Sequence, residues 1–533
     1  MTNSTPTTTA PSDWLIEIAA RDPGRLFLET ADGRRQSYAE MAALTARIAA
    51  ALRARGVQTG DRVLVQVEKS PHAVALYLAC LQIGAVLAPL NTAYTSAELE
   101  YFLQDADPKL AVLRPQDAAG AAPLAAIATL DAHGGGSLLE GGNEGPDEAR
   151  ADGRAISRPP ENIPASALAA LLYTSGTTGR SKGAMLTRAN LASNALTLAQ
   201  AWRFTASDVL LHALPIFHAH GLFVAINTVL ASGAAMLFLP KFDAAEALRL
   251  LPRVTVMMGV PTFYTRLLQQ PGLSPEHVKN VRLFISGSAP LLAQTHREFQ
   301  ARAGHAILER YGMSETLMNT SNPYDGERVP GSVGPALPGV ELRITDPETG
   351  KPLQECDAVG MIEVRGPNVF RGYWRMPEKT AAEFRPDGYF ITGDLGRIDE
   401  RGYVHIVGRG KDLIITGGYN VYPIEIENAI DALPEVMESA VIGAPHPDLG
   451  EGVAAVVVPA PGATLDEAAI RASLAERLAS FKLPKRIVFA SELPRNAMGK
   501  VQKSALREQY ADLFGAGRSD PIAAPPCAAE GAK

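Results

Sequence analysis

The segment from Tyr173 to Gly183, YTSGTTGRSKG, combines serine and threonine hydroxyls with glycines and two cations, directly after the apolar run ALAALL. A strand that ends in such a loop presents backbone N–H groups and hydroxyls that can surround phosphate oxygens. Lys182 adds a mobile charge suited to a polyphosphate, and Arg180 can add another. The loop is not a Walker A motif, because Ser181 stands where the second glycine belongs. A flexible Ser/Gly turn is the alternative to anion binding.

The elements that must position this loop follow an alternating pattern. From Trp14 to Gly408, helix-like amphipathic runs alternate with β-rich runs such as RVLVQV, AVLAPLN, VTVMMGV and VRLFISG, which predicts an α/β domain with covered parallel strands. From Ser332 to Ile406, short strands separated by Gly, Pro and Asp predict a β-rich subdomain. We therefore expect an α/β fold: a large N-terminal domain of α/β subdomains plus this β-rich subdomain, with a small mobile α+β C-terminal domain.

The predicted domain organisation has four parts. Residues 1–13 form a disordered leader, 14–408 the large domain, 409–514 the small mobile domain and 515–533 a disordered tail. Residues 116–153, rich in Ala, Gly and acidic side chains, are expected to form loose surface structure.

Composition limits the classes of function. The chain has 533 residues and a formal charge of −7, so it needs more than one core and offers no basic face for nucleic acid. Cys80, Cys356 and Cys527 are far apart, which argues against a disulfide framework or a zinc site. The most membrane-like window, 222–239, contains polar residues and a Ser-Gly turn, so we predict a buried helix, a turn and a buried strand there. We expect a cytoplasmic monomer or homodimer that binds small molecules, with neither nucleic acid nor membrane as a partner.

Further motifs follow the loop in a fixed order. They are ISGSAPL (285–291), ERYGMSET (309–316), GYFITGDLG (388–396), GRGKDLIITGGYNVYPIEIE (408–427) and PRNAMGKVQK (494–503). Together with the loop they resemble the adenylate-forming, or AMP-binding, superfamily of acyl-CoA synthetases over residues 14–510. Its members join a carboxylate to the α-phosphate of ATP, release pyrophosphate and pass the acyl group to coenzyme A. The resemblance implies ATP, Mg²⁺ and coenzyme A, and makes 14–408 an AMP-binding domain.

The resemblance also implies roles for individual residues. Lys500 would bridge the attacking carboxylate and the α-phosphate, Ser314 would donate to that phosphate, and Glu315 would be the Mg²⁺ ligand. Asp394 would accept from the ribose hydroxyls, supported by Arg409. The other implied ATP/AMP-binding residues are Thr174, Ser175, Gly176, Thr177, Thr178, Gly179, Lys182, Ser288, Ala289, Pro290, Glu309, Arg310, Tyr311 and Gly312. Taken alone, Lys500 could be an ordinary surface lysine, Glu315 a helix-start glutamate and Asp394 a turn residue.

The segment GRGKD, 408–412, is implied as a hinge. The small domain of similar enzymes rotates after adenylation, and Lys411 would be the pivot of that rotation here. Gly417 and Gly418 would then let the pantetheine arm of coenzyme A pass close to the backbone. A rigid linker is the alternative.

The stretches implied to form the acid pocket are LPIFHAHGLF, SGSAPLLAQTHREF and TLMNTSNPYDGERVPGSVG, which are more polar than a fatty-acid or aryl-acid tunnel requires. A short diacid needs a cation, and Arg297 could grip a distal carboxylate, with His218 and Ser288 completing the site. These stretches most resemble malonyl-CoA synthetases, so malonate or a small 2-substituted malonate is the expected acid. Alternatives are a surface role for Arg297 with Arg266 or Arg302 in its place, a medium-chain or aryl acyl-CoA synthetase, and a non-catalytic nucleotide sensor.

Overall fold

The computed structural model describes residues 10–118, 125–140, 163–174, 181–496 and 499–514. The chain divides into two compact units. The large unit comprises Met1–Leu342, Glu363–Ile391 and Gly402–Val404, and the small unit comprises Arg343–Ile362, Thr392–Arg401 and His405–Lys533. The predicted tail and residues 1–9 of the predicted leader lie outside the described residues, and a helix already begins at Pro11. The domain boundary expected between residues 408 and 409 stays a prediction.

Helices occur in both units. In chain order the α-helices are α1 Pro11–Arg21, α2 Tyr38–Ala54, α3 Pro71–Ile83, α4 Ser96–Ala106, α5 Arg188–Ala201, α6 Asn227–Ser232, α7 Ala244–Leu250, α8 Pro261–Leu268, α9 Ala293–Ala303, α10 Pro377–Glu383, α11 Pro423–Asp431, α12 Glu467–Ala475 and α13 Lys503–Gln509. Short 3₁₀ turns span Pro115–Asp117, Leu251–Arg253, Gly410–Asp412 and Ser480–Lys482, and a π-helical segment spans His220–Ile226. Ser37, Thr95 and Thr187 cap α2, α4 and α5, because each side chain accepts a backbone N–H of the first turn.

The strands form several sheets. In chain order they are β1 Leu26–Thr30, β2 Arg35–Ser37, β3 Arg62–Gln66, β4 Val86–Pro89, β5 Leu110–Leu113, β6 Ile127–Thr129, β7 Leu168–Thr174, β8 Lys182–Thr187, β9 Val209–His212, β10 Ala235–Phe238, β11 Val256–Gly259, β12 Leu283–Ser286, β13 Leu308–Met313, β14 Leu317–Ser321, β15 Glu341–Thr345, β16 Gly360–Arg365, β17 Phe390–Ile398, β18 Val404–Arg409, β19 Ile414–Thr416, β20 Tyr419–Val421, β21 Val436–His446, β22 Gly450–Pro459 and β23 Arg486–Phe489.

Two largely parallel sheets form the large unit. One has the order β14-β13-β12-β11-β9-β10-β1-β2 and the other β6-β5-β3-β4-β7-β8. Only the end pairs β13/β14, β1/β2 and β7/β8 are antiparallel among the pairs described in these two sheets. Their central strands are buried on both faces, as parallel strands covered by helices must be. Helix α3 is buried at nearly every position, so it is a core helix rather than an amphipathic surface helix.

The small unit contains a five-stranded sheet in which β20-β19-β22-β21 are neighbours and β23 pairs with β22. Along the β21/β22 hairpin, side chains alternate between two cores. Val441, Val453 and Val457 belong to one core, and Ile442 and Val456 belong to the other. Helices therefore cover both faces of this sheet, with α11 and α12 on one side and α13 on the other. A further four-stranded sheet has the order β15-β16-β17-β18.

The predicted fold class and strands are confirmed, whereas the prediction for residues 116–153 is wrong. The expected α/β fold class and the strand runs listed above are present, and residues 222–239 form the end of the π-helical segment, α6, a turn at Gly233 and β10. No helix in the described ranges is long and apolar enough to cross a membrane. The segment 116–153 was expected to be loose, but its described part contains β6, which pairs in parallel with β5. That pairing buries Ala128, which explains why this short run is ordered.

Asp208 anchors the large sheet through a buried ion pair. Its carboxylate accepts bonds of 2.8 Å from both Nε and Nη2 of Arg282 and one of 2.7 Å from the Thr255 hydroxyl. Burial raises the pKa of Asp208, but the bonds from Arg282 and Thr255 outweigh it, so the pKa lies below its ordinary value.

We predict that Asp208→Ala costs about 3 kcal/mol of unfolding free energy, because it leaves a largely buried guanidinium without its partner. Urea unfolding followed by tryptophan fluorescence measures the loss, since Trp14, Trp202 and Trp374 all belong to the large unit. Because the folded pKa is depressed, the carboxylate's contribution is complete above about pH 5 and is lost as pH falls below the ordinary pKa of about 4. An unchanged urea midpoint at pH 7 would contradict the assignment.

Candidate active site

The predicted phosphate loop follows β7, and its cation begins β8. These strands are antiparallel neighbours, and Thr174 lies opposite Lys182 in their register. The nearest charged partner described for Lys182 is Glu383, whose Oε1 lies 3.7 Å from the Lys182 Nζ. The same Nζ lies 4.8 Å from the centre of the Tyr373 ring. The remaining predicted loop residues lie outside the described residues: Ser175, Gly176, Thr177, Thr178 and Gly179.

Glu315, the predicted Mg²⁺ ligand, is held in a small carboxylate network. It is buried, and its Oε1 lies 3.1 Å from the hydroxyl of Tyr373. That hydroxyl also lies 2.7 Å from Oε2 of Glu383. A phenol has one hydrogen to donate, so at any moment it bonds only one of the two carboxylates. Burial, together with these carboxylates, raises the pKa of Tyr373, so the hydroxyl stays protonated.

A second cluster lies just beyond the end of β12. Ser288 has a left-handed backbone with φ 73°, and its hydroxyl lies 3.1 Å from Nδ1 of His220. Arg310, on the neighbouring strand β13, is buried with its guanidinium against Gly287. A Cβ at Gly287 would lie 2.3 Å from the Arg310 Cζ, so only glycine leaves room for the guanidinium. The strand register and one glycine therefore fix a cation next to a serine and a histidine.

The electrostatics of this cluster favour an anion. Burial, and then the nearby Arg310, holds the pKa of His220 well below its ordinary value, so the imidazole is neutral. Burial lowers the pKa of Arg310 to about 9, which leaves the guanidinium charged at neutral pH. Among the described residues, its Nε and Nη2 have no hydrogen-bond partner. A buried charge of this kind is costly unless an anion pairs with it.

Arg297 and Arg310 differ in burial, which bears on which of them could serve the predicted acid pocket. Arg297, the residue predicted to grip a distal carboxylate, is exposed on α9. The buried face of that helix carries Thr295, His296, Phe299 and Ala303 instead. Arg310, which sequence reasoning assigned to the nucleotide, is the arginine that the structure places beside Ser288 and His220. His218 is half-buried, and its Nδ1 accepts the backbone N–H of His220 at 3.2 Å.

Other predicted nucleotide contacts surround these clusters in the large unit. Ala289, Tyr311, Gly312 and Ser314 are half-buried, and Pro290 is exposed, which leaves this part of the chain open to a ligand. Their binding roles stay predictions. The carboxylate of Glu309 lies 3.4 Å from Nδ1 of His296 and accepts the N–H of Gly331, so its described contacts are structural.

Asp394 and Arg409 come together within the small unit. The Arg409 Nε lies 2.7 Å from Oδ1 of Asp394, which is buried while the arginine is partly exposed. The backbone N–H of Asp394 donates to the hydroxyl of Thr392. The pair predicted to hold the ribose is therefore preformed, although its ligand stays a prediction.

Lys500 is joined to Asn496 by two hydrogen bonds of its backbone. Its N–H donates to the side-chain oxygen of Asn496 at 3.0 Å, and its carbonyl accepts the N–H of Asn496 at 2.9 Å. The Arg495 guanidinium donates to the Gly499 carbonyl and pairs with Glu438 on β21. These contacts attach the turn to the sheet of the small unit.

Lys411 and the two glycines are exposed in the small unit. Gly417 and Gly418 have φ values of 56° and 82° and connect β19 to β20, where Thr416 lies opposite Tyr419. Positive φ at both central residues is what a two-residue type I′ hairpin requires. The turn alone therefore accounts for both glycines, and their contact with coenzyme A stays a prediction.

The carboxylates around Glu315 bear on the predicted magnesium site. In the described ranges, no group of three or more His, Cys, Asp or Glu side chains is arranged to hold a metal ion. A phosphate-bound Mg²⁺ needs only one or two carboxylates, because phosphates and waters supply its other ligands. The buried Glu315, with Glu383 beside the same hydroxyl, fits that requirement.

Sequence reasoning missed three residues of these clusters. His220 stands two residues from the predicted His218, but only the fold shows which imidazole reaches Ser288. Tyr373 and Glu383 carry no local signal, since their contacts join distant parts of the chain.

Comparisons with known proteins agree with this geometry. The AMP-binding enzyme family matches residues 15–374, and the C-terminal domain of AMP-binding enzymes matches residues 425–500. An indoleacetate–CoA ligase of Aromatoleum aromaticum is 36% identical over 94% of this chain and 98% of its own length. A malonate–CoA ligase of Arabidopsis thaliana is 34% identical over 85% of this chain and 78% of its own length.

Solved structures give the same result. The crystal structure of ATP-bound MatB from Rhodopseudomonas palustris is 59% identical, with a TM-score of 0.89, over 94% of this chain and 99% of that chain. The fold and the predicted resemblance to malonyl-CoA synthetases are therefore confirmed. The chain belongs to the AMP-binding enzyme family and is an AMP-forming acid–thiol ligase.

Proposed function

We propose that this ligase activates malonate with ATP and transfers the malonyl group to coenzyme A, releasing AMP and pyrophosphate. The observation that carries the proposal is the buried Arg310, whose Nε and Nη2 have no partner among the described residues, beside Ser288 and the neutral His220. A diacid supplies what this cluster lacks, because its distal carboxylate can accept two parallel bonds from a guanidinium. The similarity to MatB and to malonate–CoA ligases supports the same acid.

The pocket discriminates against monoacids on physical grounds. An apolar tail placed against Arg310 would leave the buried charge without an anion and would also block water from it. A site that pairs with a charged group of its substrate strongly rejects an analogue without that group. An apolar pocket rejects an analogue with an extra methyl group far less strongly. Small 2-substituted malonates keep both carboxylates and are therefore expected substrates.

An aryl acid is the competing substrate class. The similarity to an indoleacetate–CoA ligase supports that alternative, since the identity is close to that of the malonate–CoA ligases. An indole ring would gain a cation–π contact with Arg310 but would provide no carboxylate for it. A panel of malonate, methylmalonate, butyrate and indoleacetate, with mass detection of the thioester, separates the two classes.

Adenylation needs two anions to approach each other. Lys182 and the hydroxyls near it bind the phosphates, and Ser314 donates to the α-phosphate. A magnesium ion held by Glu315 would neutralise phosphate charge. Lys500 supplies the charge that the attacking carboxylate and the α-phosphate share, while Asp394 and Arg409 hold the ribose. After the small domain turns about Lys411, the segment with Gly417 and Gly418 guides the coenzyme A thiol to the acyl-adenylate.

We predict that Arg310→Met raises the malonate KM about 100-fold while the ATP KM changes less than threefold. Loss of a buried charge-assisted pair costs about 2–5 kcal/mol, and each 1.4 kcal/mol is a factor of ten. Steady-state kinetics with each substrate varied in turn measures both constants. Thermal unfolding should be unchanged or raised, because the variant removes a buried charge without a partner.

Arg297→Met is the matched control for this experiment. Its side chain is exposed on α9, so the malonate KM should stay within threefold of the wild type. The reverse pattern, with Arg297→Met raising the malonate KM and Arg310→Met leaving it unchanged, would restore the choice made from the sequence.

We predict that Lys500→Ala lowers malonate-dependent pyrophosphate exchange by at least 1000-fold. The variant removes the charge that reconciles the two anions, an electrostatic contribution of about 4 kcal/mol or more. A supplied malonyl-adenylate should still react with coenzyme A, because that step does not need this cation. Lys503→Ala is the control, since Lys503 pairs with Glu427 within the small unit. Normal exchange by Lys500→Ala would remove it from the mechanism.

We predict that Lys411→Pro slows overall thioester formation at least 10-fold while pyrophosphate exchange falls less than threefold. Proline fixes φ, so it restricts the rotation that separates the two half-reactions without touching the substrates of the first. The two rates are measured by isotope exchange and by thioester release. Equal rates for the variant and the wild type in both assays would argue for a rigid linker.

A further inference from the structure

Glu383 lies in a position that its own helix does not favour. It is the last residue of α10, where the helix dipole is negative and a cation is preferred. Three groups compensate its charge: Lys379 at 2.7 Å, Lys182 at 3.7 Å and the hydroxyl of Tyr373 at 2.7 Å. A carboxylate at a helix end that prefers a cation points to a role for Glu383 outside the helix.

The Lys182–Glu383 pair is shielded from water more than a surface pair. The two side chains are 20% and 21% exposed, and Lys182 also lies over the face of the buried Tyr373. The lysine proposed to bind the triphosphate is therefore held by an internal carboxylate. Phosphate oxygens and this carboxylate offer the same cation the same kind of bond, so the two compete for it.

We propose that Glu383 occupies Lys182 as an internal substitute for phosphate, so that ATP must displace this carboxylate to bind. The inference rests on the proposed function, because it assigns Lys182 to the triphosphate. Glu383 is a positioning residue that acts through Lys182. It holds the cation beside Tyr373 and Glu315 when no nucleotide is bound, at the cost of weaker nucleotide affinity.

The hydroxyl of Tyr373 extends the effect to Glu315. When Lys182 leaves Glu383 for a phosphate, less positive charge faces the Glu383 carboxylate. Glu383 then attracts the single phenolic hydrogen of Tyr373 more strongly. The Glu315 carboxylate then faces the oxygen of the Tyr373 hydroxyl and no longer its hydrogen, which favours a cation at Glu315. Nucleotide binding at Lys182 thus prepares Glu315, through contacts that lie within the large unit.

The test measures ATP affinity by calorimetry on the full chain, in EDTA and 0.15 M salt, so that neither metal nor turnover contributes. Glu383→Gln is expected to lower the Kd for ATP three- to fivefold, because the competing charge is removed from a partly buried pair. Lys182→Met is expected to raise the Kd at least 10-fold. In the Lys182→Met background, Glu383→Gln should change the Kd less than 1.5-fold, which separates an effect through Lys182 from a general change in charge.

Glu378→Gln is the matched control, since it makes the same change on the same helix at an exposed position. Its Kd should equal that of the wild type. Should Glu383→Gln unfold at lower temperature, Lys379→Met provides a second measurement with Glu383 intact. That variant removes the other lysine on Oε1, so Glu383 holds Lys182 more strongly and the Kd should rise about twofold. The same change should have no effect in the Glu383→Gln background.

The outcomes separate this inference from the proposed function. If Lys182→Met weakens ATP binding but Glu383→Gln leaves the Kd unchanged or raises it, the inference is wrong and the phosphate role of Lys182 stands. If neither variant changes the Kd, Lys182 does not bind the triphosphate, so this inference and the phosphate role of Lys182 both fail, while the acid panel still decides the proposed substrate. If Glu383→Gln tightens binding equally with and without Lys182, the carboxylate acts through its field alone, which also overturns the inference.

Discussion

The guanidinium of Arg310 is buried and charged, two of its nitrogens find no hydrogen-bond partner in the described part of the chain, and the proposed specificity depends on pairing it with a carboxylate. Gly287 has no side chain because a Cβ there would overlap the guanidinium. His220 is kept neutral by burial and by that cation, and its Nδ1 faces the hydroxyl of Ser288. Burying an unpaired charge costs free energy, and a folded chain keeps such a cost where a ligand's binding removes it.

The parallel sheets explain why charges meet at these positions. Ligands of open α/β sheets bind beyond the carboxyl ends of the strands, where loops leave the sheet together. In one sheet, Gly287 and Ser288 follow the end of β12 and the segment with His220 follows β9; in the other, the predicted phosphate loop follows β7. The cation of the cluster comes from a strand, since Arg310 lies on β13, whereas the glycine, serine and histidine beside it lie outside the strands.

Much of this arrangement is readable from the sequence, for physical reasons that differ between residues. The strand runs and the helix with Arg297 follow from periodicity, which is a local property. The exposure of Arg297 was also readable, because Thr295, Phe299 and Ala303 recur at helical spacing on the buried face of α9 and Arg297 falls outside it. The approach of Arg310 to Gly287 was not, since it depends on the register of β12 with β13, a pairing between distant segments. The contact between Lys182 and Glu383 is non-local in the same way.

The small unit places a different demand on its cation. Lys500 is half-buried, its backbone bonds to Asn496, and the neighbouring Arg495 pairs with Glu438 on β21. The backbone of Lys500 is therefore attached to its own sheet before any substrate binds, which lowers the backbone entropy lost on binding. A lysine fixed to its own unit can be delivered or withdrawn only by moving that unit. The chemistry proposed here thus needs a linker that can turn and a lysine backbone that stays attached to its sheet, and the contacts between Asn496 and Lys500 serve the second need.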